Sequence, residues 1–132
     1  MKREVVTGGE FDWFAMDGEG HVGHFATAGF RPIPRIVLAR FGELREFDRR
    51  ILQLPAIGEA TGHLGGLIED WLEMARRGLF SYDWQHWSGP YARAATPSRA
   101  INIAEIPAAL RDDIRIVEWP GNRFKDFLAV RP

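Results

Sequence analysis

The stretch Phe11-Asp12-Trp13-Phe14-Ala15-Met16-Asp17-Gly18-Glu19-Gly20-His21-Val22-Gly23-His24-Phe25-Ala26-Thr27 governs the reading of the whole chain. Aromatic and β-branched residues on either side of Asp-Gly-Glu-Gly indicate two strands joined by a turn. With Gly18 and Glu19 at the centre, Trp13 is expected opposite His24 and Phe14 opposite Gly23, an aromatic ring covering a cross-strand glycine. The first strand is apolar on both faces, Phe11, Trp13 and Ala15 on one and Phe14 and Met16 on the other, so part of it is expected to be buried on both sides. Residues 1–10 read as a loose lead-in.

Beyond this hairpin Pro34 suits the first turn of a helix. Val37, Phe41, Leu44, Phe47, Ile51 and Leu54 then recur at helical spacing until Pro55, which predicts a helix over 35–53 with a break near Gly42. A second helix is predicted from the stripe Leu64, Leu67, Ile68, Trp71, Leu72, Ala75 and Leu79, with Thr61 as a candidate N-cap. Gly62, Gly65 and Gly66 each weaken its first turns by roughly 1 kcal/mol relative to alanine, favouring a late start. Phe80–Trp84 and Tyr91–Ala95 read as strands, Ile101–Ile103 as a short one, and Pro107 opens a brief helix through Arg111. Ile114–Trp119 and Phe124–Val130 flank Pro120-Gly121-Asn122 as a closing hairpin. One register would set Val117 opposite Phe124, Glu118 opposite Arg123 and Arg115 opposite Asp126. A longer loop is the alternative, because a type II turn at Pro-Gly twists against a tight hairpin. These elements predict one α+β domain over 1–132. Its mostly antiparallel sheet is built from N- and C-terminal hairpins, with two main helices on one face and Trp71 in the core.

The 132 residues, 45% hydrophobic and 27% charged, suffice for one hydrophobic core. A formal net charge of -1 offers phosphate backbones no overall attraction, so nucleic acid is not an expected partner. The lack of cysteine removes disulfides, thiolate metal sites and a cysteine nucleophile. Met1 to Gly9 holds no apolar stretch of signal-peptide length, and no apolar run would span a bilayer. The expected location is the cytoplasm, with no membrane partner.

Two clusters carry chemistry-bearing side chains. Asp17, Glu19, His21 and His24 surround the first turn, but His21 and His24 are three apart on a strand and point to opposite faces, which argues against shared metal ligation. No metal or cofactor is expected. Tyr82-Asp83-Trp84-Gln85-His86-Trp87-Ser88-Gly89-Pro90-Tyr91 is the richer cluster. It lacks a Gly-x-Ser-x-Gly elbow around Ser88, and too many of its rings compete for one core. Tyr82, Trp84, His86, Trp87 and Tyr91 are therefore the candidate binding residues, with Trp87 beside Gly89-Pro90 the expected exposed anchor. Gly62-His63-Leu64-Gly65 lacks the basic residue of a phosphate clamp. Arg45, Arg49, Arg50, Arg76 and Arg77 are interleaved with acids, as on a solvated face. Rossmann, Walker A and His-Glu-x-x-His patterns are all missing.

Three segments taken together carry a resemblance. They are Phe11-Asp12-Trp13-Phe14-Ala15 with Asp17, Gly20, Phe25, Thr27, Gly29 and Pro34; Arg77-Gly78-Leu79-Phe80 with Tyr82-Asp83-Trp84; and Pro97 with Ile101, Ile106-Pro107 and Leu110. The pattern resembles small bacterial cytosolic proteins, some of the immunity type found beside secreted toxins, and it brings no assigned functional residues. It implies a non-enzymatic domain that binds another protein, a toxin in the immunity case. The alternative is a small metal-independent hydrolase or lyase using His86 and Asp83.

Overall fold

Three residues, Gly18 to Gly20, close the first hairpin, and Asp17 shapes them. Its Oδ1 accepts the backbone N–H groups of Glu19 and His21, both at 2.9 Å, while its own N–H donates to the His21 carbonyl at 2.9 Å. Gly20 completes the loop at φ 81°, the left-handed conformation that a three-residue hairpin loop needs in its last position. The extra loop residue moves the register one step from the expected one. Trp13 pairs with Phe25, Phe14 with His24 and Ala15 with Gly23. Because side chains alternate along a strand, that step decides which residues share a face.

The computed structural model describes residues 11–27, 33–84 and 89–130; the expected lead-in over 1–10 lies outside them. β1 (Phe11–Asp17) and β2 (Val22–Thr27) sit inside a seven-stranded sheet with β3 (Ala60–Gly62), β4 (Phe80–Trp84), β5 (Tyr91–Pro97), β6 (Glu118–Trp119) and β7 (Ala129–Val130). The order is β3-β5-β4-β2-β1-β6, with β7 also against β5. The sheet is mixed rather than mostly antiparallel: β2 runs parallel to β4, and β1 parallel to β6. Parallel neighbours need a crossover, and the helical stretch between β2 and β4 supplies one.

The expected closing hairpin does not form. β6 pairs with β1 and β7 pairs with β5, at opposite sides of the sheet. The four charges that favoured the hairpin pair locally instead, Arg115 with Glu118 at 2.8 Å and Arg123 with Asp126 at 2.7 Å. Ile101–Ile103 shrinks to a single bridge between Asn102 and His21, followed by a 3-10 turn over Ile103–Glu105 with a capping box between Asn102 and Glu105.

The predicted helix over 35–53 is three short ones, α1 (Arg35–Ala39), α2 (Phe41–Leu44) and α3 (Phe47–Ile51). The helix does break near its middle, at Arg45–Glu46, and also at Arg40, with Gly42 itself inside α2; the stripe serves two cores. Val37 and Leu44 join one apolar cluster, and Phe47 and Ile51 the other. α4 (Glu69–Arg76) does start late, after Gly66 at φ 83°, and Thr61 pairs within β3 rather than capping it. Its end is a Schellman turn. Gly78 at φ 96° donates to the Ala75 carbonyl, and Leu79 donates to that of Met74. Trp71 is only half-buried and rests its Nε1–H on the Tyr82 carbonyl at 3.3 Å, so it is not the core residue expected of it. α5 (Ala108–Ile114) adds Leu110 and Ile114 to the second cluster.

One sheet face holds Phe11, Trp13, Phe25, Phe80, Tyr82, Trp84 and Tyr91, covered by Val37, Leu44, Val117 and Phe124. Phe124 lies at the start of a 3-10 turn, Phe124–Asp126, that crosses this face. Its ring sits so close over Gly23 that a Cβ there would meet it at 2.8 Å. Phe124→Ala is expected to cost about 3–5 kcal/mol of stability. A denaturation curve with an unchanged midpoint would remove the turn from the core.

Candidate functional site

The expected binding aromatics divide sharply. Tyr82 and Tyr91 are fully buried and Trp84 is 7% exposed, so these three are core side chains and not surface anchors. The reason is strand alternation: Phe80, Tyr82 and Trp84 share the face that carries Phe25. Phe25 stacks between Trp13, at 4.3 Å, and Tyr82, at 4.9 Å, and the Tyr91 hydroxyl accepts the Trp13 Nε1–H at 3.1 Å. His86 and Trp87 lie outside the described residues.

On β5, Arg93 pairs with Tyr82 and lays its guanidinium over the Tyr82 and Phe80 rings, 5.7 and 5.1 Å from their centroids. Arg93 is 6% exposed. Its Nη2 donates to the carbonyls of Phe124 and Phe127, and its Nε has no partner among the described residues. The Tyr82 hydroxyl donates to the Phe127 carbonyl at 2.8 Å. Burial pushes that hydroxyl up to about 12 against the opposing pull of Arg93, so it stays protonated and keeps donating.

The opposite face holds a polar chain. His24 pairs with Phe14 on β1 and with Ser81 on β4. Its Nδ1 meets Ser81 Oγ at 2.6 Å and its Nε2 meets Asp12 Oδ2 at 3.1 Å. An Nε2–H directed at the carboxylate leaves Nδ1, in the neutral ring, to accept the Ser81 hydroxyl. These are the hydrogen bonds that link nucleophile, base and orienting acid in acyl-transfer enzymes. Ser81, however, is fully buried and His24 is 2% exposed. Asp12, at 22%, is the member nearest solvent. A narrow cleft with room for about one water opens beside it, lined by Val37, Leu44, Ile116 and Asp113 among others. As it stands, the chain ties β1, β2 and β4 together through a satisfied imidazole and offers Ser81 no space for a substrate.

Sequence reasoning reached His24 but not its partners. Ser81 was invisible because nothing in the sequence announces that β2 and β4 are parallel neighbours, and Asp12 because the register was one residue off. The other expected clusters disperse. Asp17 is spent on backbone groups, and Glu19 faces Lys125 and Arg123, each at 3.5 Å. Among the described residues no three His, Asp or Glu side chains converge on a metal-sized point. Asp83 is half-buried in β4. The segment from Gly62 to Gly65 lies at the sheet edge, where His63 N–H donates to the Ala94 carbonyl and its Nε2 meets Thr96 Oγ1 at 2.6 Å. The arginines of the two helical stretches pair with neighbouring acids, Arg76 and Arg77 with Glu73 and Arg50 with Asp113. No described helix is long and apolar enough to cross a membrane.

Comparison with protein-family models, with curated proteins and with solved structures finds no match to this chain.

Asp48, on α3, lies within the field of both Asp12 and His24. Burial raises its carboxyl above the usual range, Asp12 adds to the shift and His24 opposes it. Its ionised form is therefore disfavoured by folding, so the cost is present at neutral pH, shrinks as pH falls through the raised pKa and vanishes below the unfolded value. Asp48→Asn should raise the melting temperature at pH ~7, the gain disappearing toward pH ~4. A gain independent of pH, or a loss at neutral pH, would contradict this account.

Proposed function

We propose that this chain is a non-enzymatic protein-binding domain acting in the cytoplasm, of the immunity type that neutralises a cognate bacterial toxin. The observation that carries the reading is the pair Phe127 and Leu128, 39% and 65% exposed on the strand edge beside β7. The Leu128 carbonyl accepts the Arg93 N–H at 2.8 Å, so the pair is held against the sheet by its backbone while its side chains face outward. Adjacent exposed apolar side chains of this kind are the composition from which protein interfaces draw affinity. Leu67, 97% exposed behind Gly65 and Gly66, is a further apolar projection. The resemblance to immunity-type proteins supplies the kind of partner, and Trp87 is an additional anchor under this reading.

The reading expects a gene for a secreted toxin beside this chain's gene, and the test is binding to that toxin, measured by calorimetry. A complex is expected, with Leu128→Asp and Trp87→Ala each weakening it by about tenfold or more at unchanged melting temperature. Failure to form any complex would reject the reading.

The Ser81–His24–Asp12 chain favours a second reading, a metal-independent hydrolase, with residues other than His86 and Asp83 at its centre. It predicts that a fluorophosphonate labels Ser81 in the native protein and that His24→Ala abolishes labelling. Native protein that stays unlabelled would dismiss it.

A further inference from the structure

We propose that Arg93, Thr96, Thr61 and His63 form a binding site for a phosphate group, as inorganic phosphate or a small phosphate monoester, at the β3 edge of the sheet. This goes beyond the reading above and stands on other side chains.

The site exists because of an irregularity in β5. Tyr82 pairs with Arg93 and Ser81 with Ala95, so Ala94 is an extra residue with no partner on β4. Strict alternation would send side chains three apart to opposite faces. The bulge instead returns Thr96 to the face of Arg93, and Arg93 Nη1 donates to Thr96 Oγ1 at 3.1 Å. Thr96 also pairs with Thr61 of β3, which sets the two threonine side chains next to each other. His63 N–H is held on the Ala94 carbonyl of the bulge at 2.9 Å, and its Nε2 meets Thr96 Oγ1 at 2.6 Å. Arg93 is buried, Thr96 half-buried, and Thr61 and His63 exposed, so a line of polar groups runs from a guanidinium in the core to solvent.

Charge decides what such a site accepts. A guanidinium keeps its proton at any ordinary pH and only donates. The acceptors that Arg93 meets are neutral, the carbonyls of Phe124 and Phe127 and the Thr96 hydroxyl. Its buried Nε has no acceptor among the described residues. Asp17, the acid buried on this face, gives its two oxygens to the N–H groups of Glu19, His21 and Phe124. The cation is thus met by dipoles rather than by a carboxylate, and its field favours an anion at the surface end of the line. Two hydroxyls and an imidazole supply donors there, and hydrogen bonds to an ionised oxygen are the strong kind. Three donor groups on two neighbouring strands suit the several oxygens of a phosphate better than the two of a carboxylate. Glu59, exposed two residues before Thr61, is the charge that works against binding.

NMR of the backbone amides and arginine side chains of the full chain tests this. Sodium phosphate and phenyl phosphate are titrated at constant ionic strength, with sodium chloride and sodium acetate as controls. Phosphate should move the Thr61, His63 and Thr96 amides and the Arg93 Nε–H saturably, while chloride and acetate leave them in place. Tighter binding of phenyl phosphate assigns the site to monoesters, and tighter binding of inorganic phosphate to the free ion. Thr96→Val, which removes the hydroxyl at nearly constant shape, should weaken binding by about tenfold, and Glu59→Gln should strengthen it. Thr61→Val, at an exposed position, should also weaken it and serves if Thr96→Val disturbs the fold. Shifts that do not saturate, that the controls reproduce, or that persist unchanged in the threonine variants would overturn the inference. The titration needs no toxin, so its outcome is separate from that of the calorimetry.

Discussion

Trp13, Phe25, Tyr82 and Arg93 form one row of stacked side chains across four strands, and the aromatic half of the molecule is arranged around it. Its last member sets the constraint. A buried guanidinium is costly unless its N–H groups find acceptors. The carbonyls of Phe124 and Phe127 provide them, with the Tyr82 hydroxyl donating to the same pair. Asp17 answers from the other end by accepting the Phe124 N–H at 2.8 Å. Two buried polar side chains on distant strands thus grip Phe124 by its N–H and its carbonyl. That segment lies across the face and is not free to fold back on β6 as a hairpin.

The same register builds the opposite face. Setting Trp13 beside Phe25 places Phe14 beside His24, and the parallel pairing of β2 with β4 then brings His24 to Ser81. A slip of one residue would turn the imidazole into the ring stack and a large ring into the polar row, leaving both faces unsatisfied. The Ser81–His24–Asp12 chain therefore helps specify the sheet whether or not it has chemistry to perform. Its hydrogen bonds match those of a catalytic set, but a catalytic serine also needs a reacting atom about 3 Å away, and the hydroxyl here is enclosed.

The sequence made some of this legible. Alternation and turn chemistry revealed β1, β2, β4 and β5, and the glycines ahead of Glu69 foretold the late start of α4. The failures share a cause. Val37, Leu44, Phe47 and Ile51 keep helical spacing, yet periodicity does not say that they bury against two different cores, so Gly42 announced a break near the middle while its positions at Arg40 and Arg45–Glu46 left no mark. Tyr82, Trp84 and Tyr91 looked too numerous for one core because the capacity of a face covered by the distant Phe124 cannot be counted locally. Arg115, Glu118, Arg123 and Asp126 satisfied a hairpin register on paper, and each charge had a nearer partner three residues away. Non-local pairing, not local propensity, decided every one of these.

Among the described residues, strand pairing on the outer side of β1 is confined to Met16 and Asp17. Val37 and Leu44 put apolar side chains of α1 and α2 into the aromatic cluster, and the backbone bonds of these two helices run among Pro34 to Arg45. β6 has two residues and stops at Met16, since Val117 is drawn into the aromatic face and Ile114 into the helical one. Among the described residues, apolar cover thus extends further along β1 than strand pairing does.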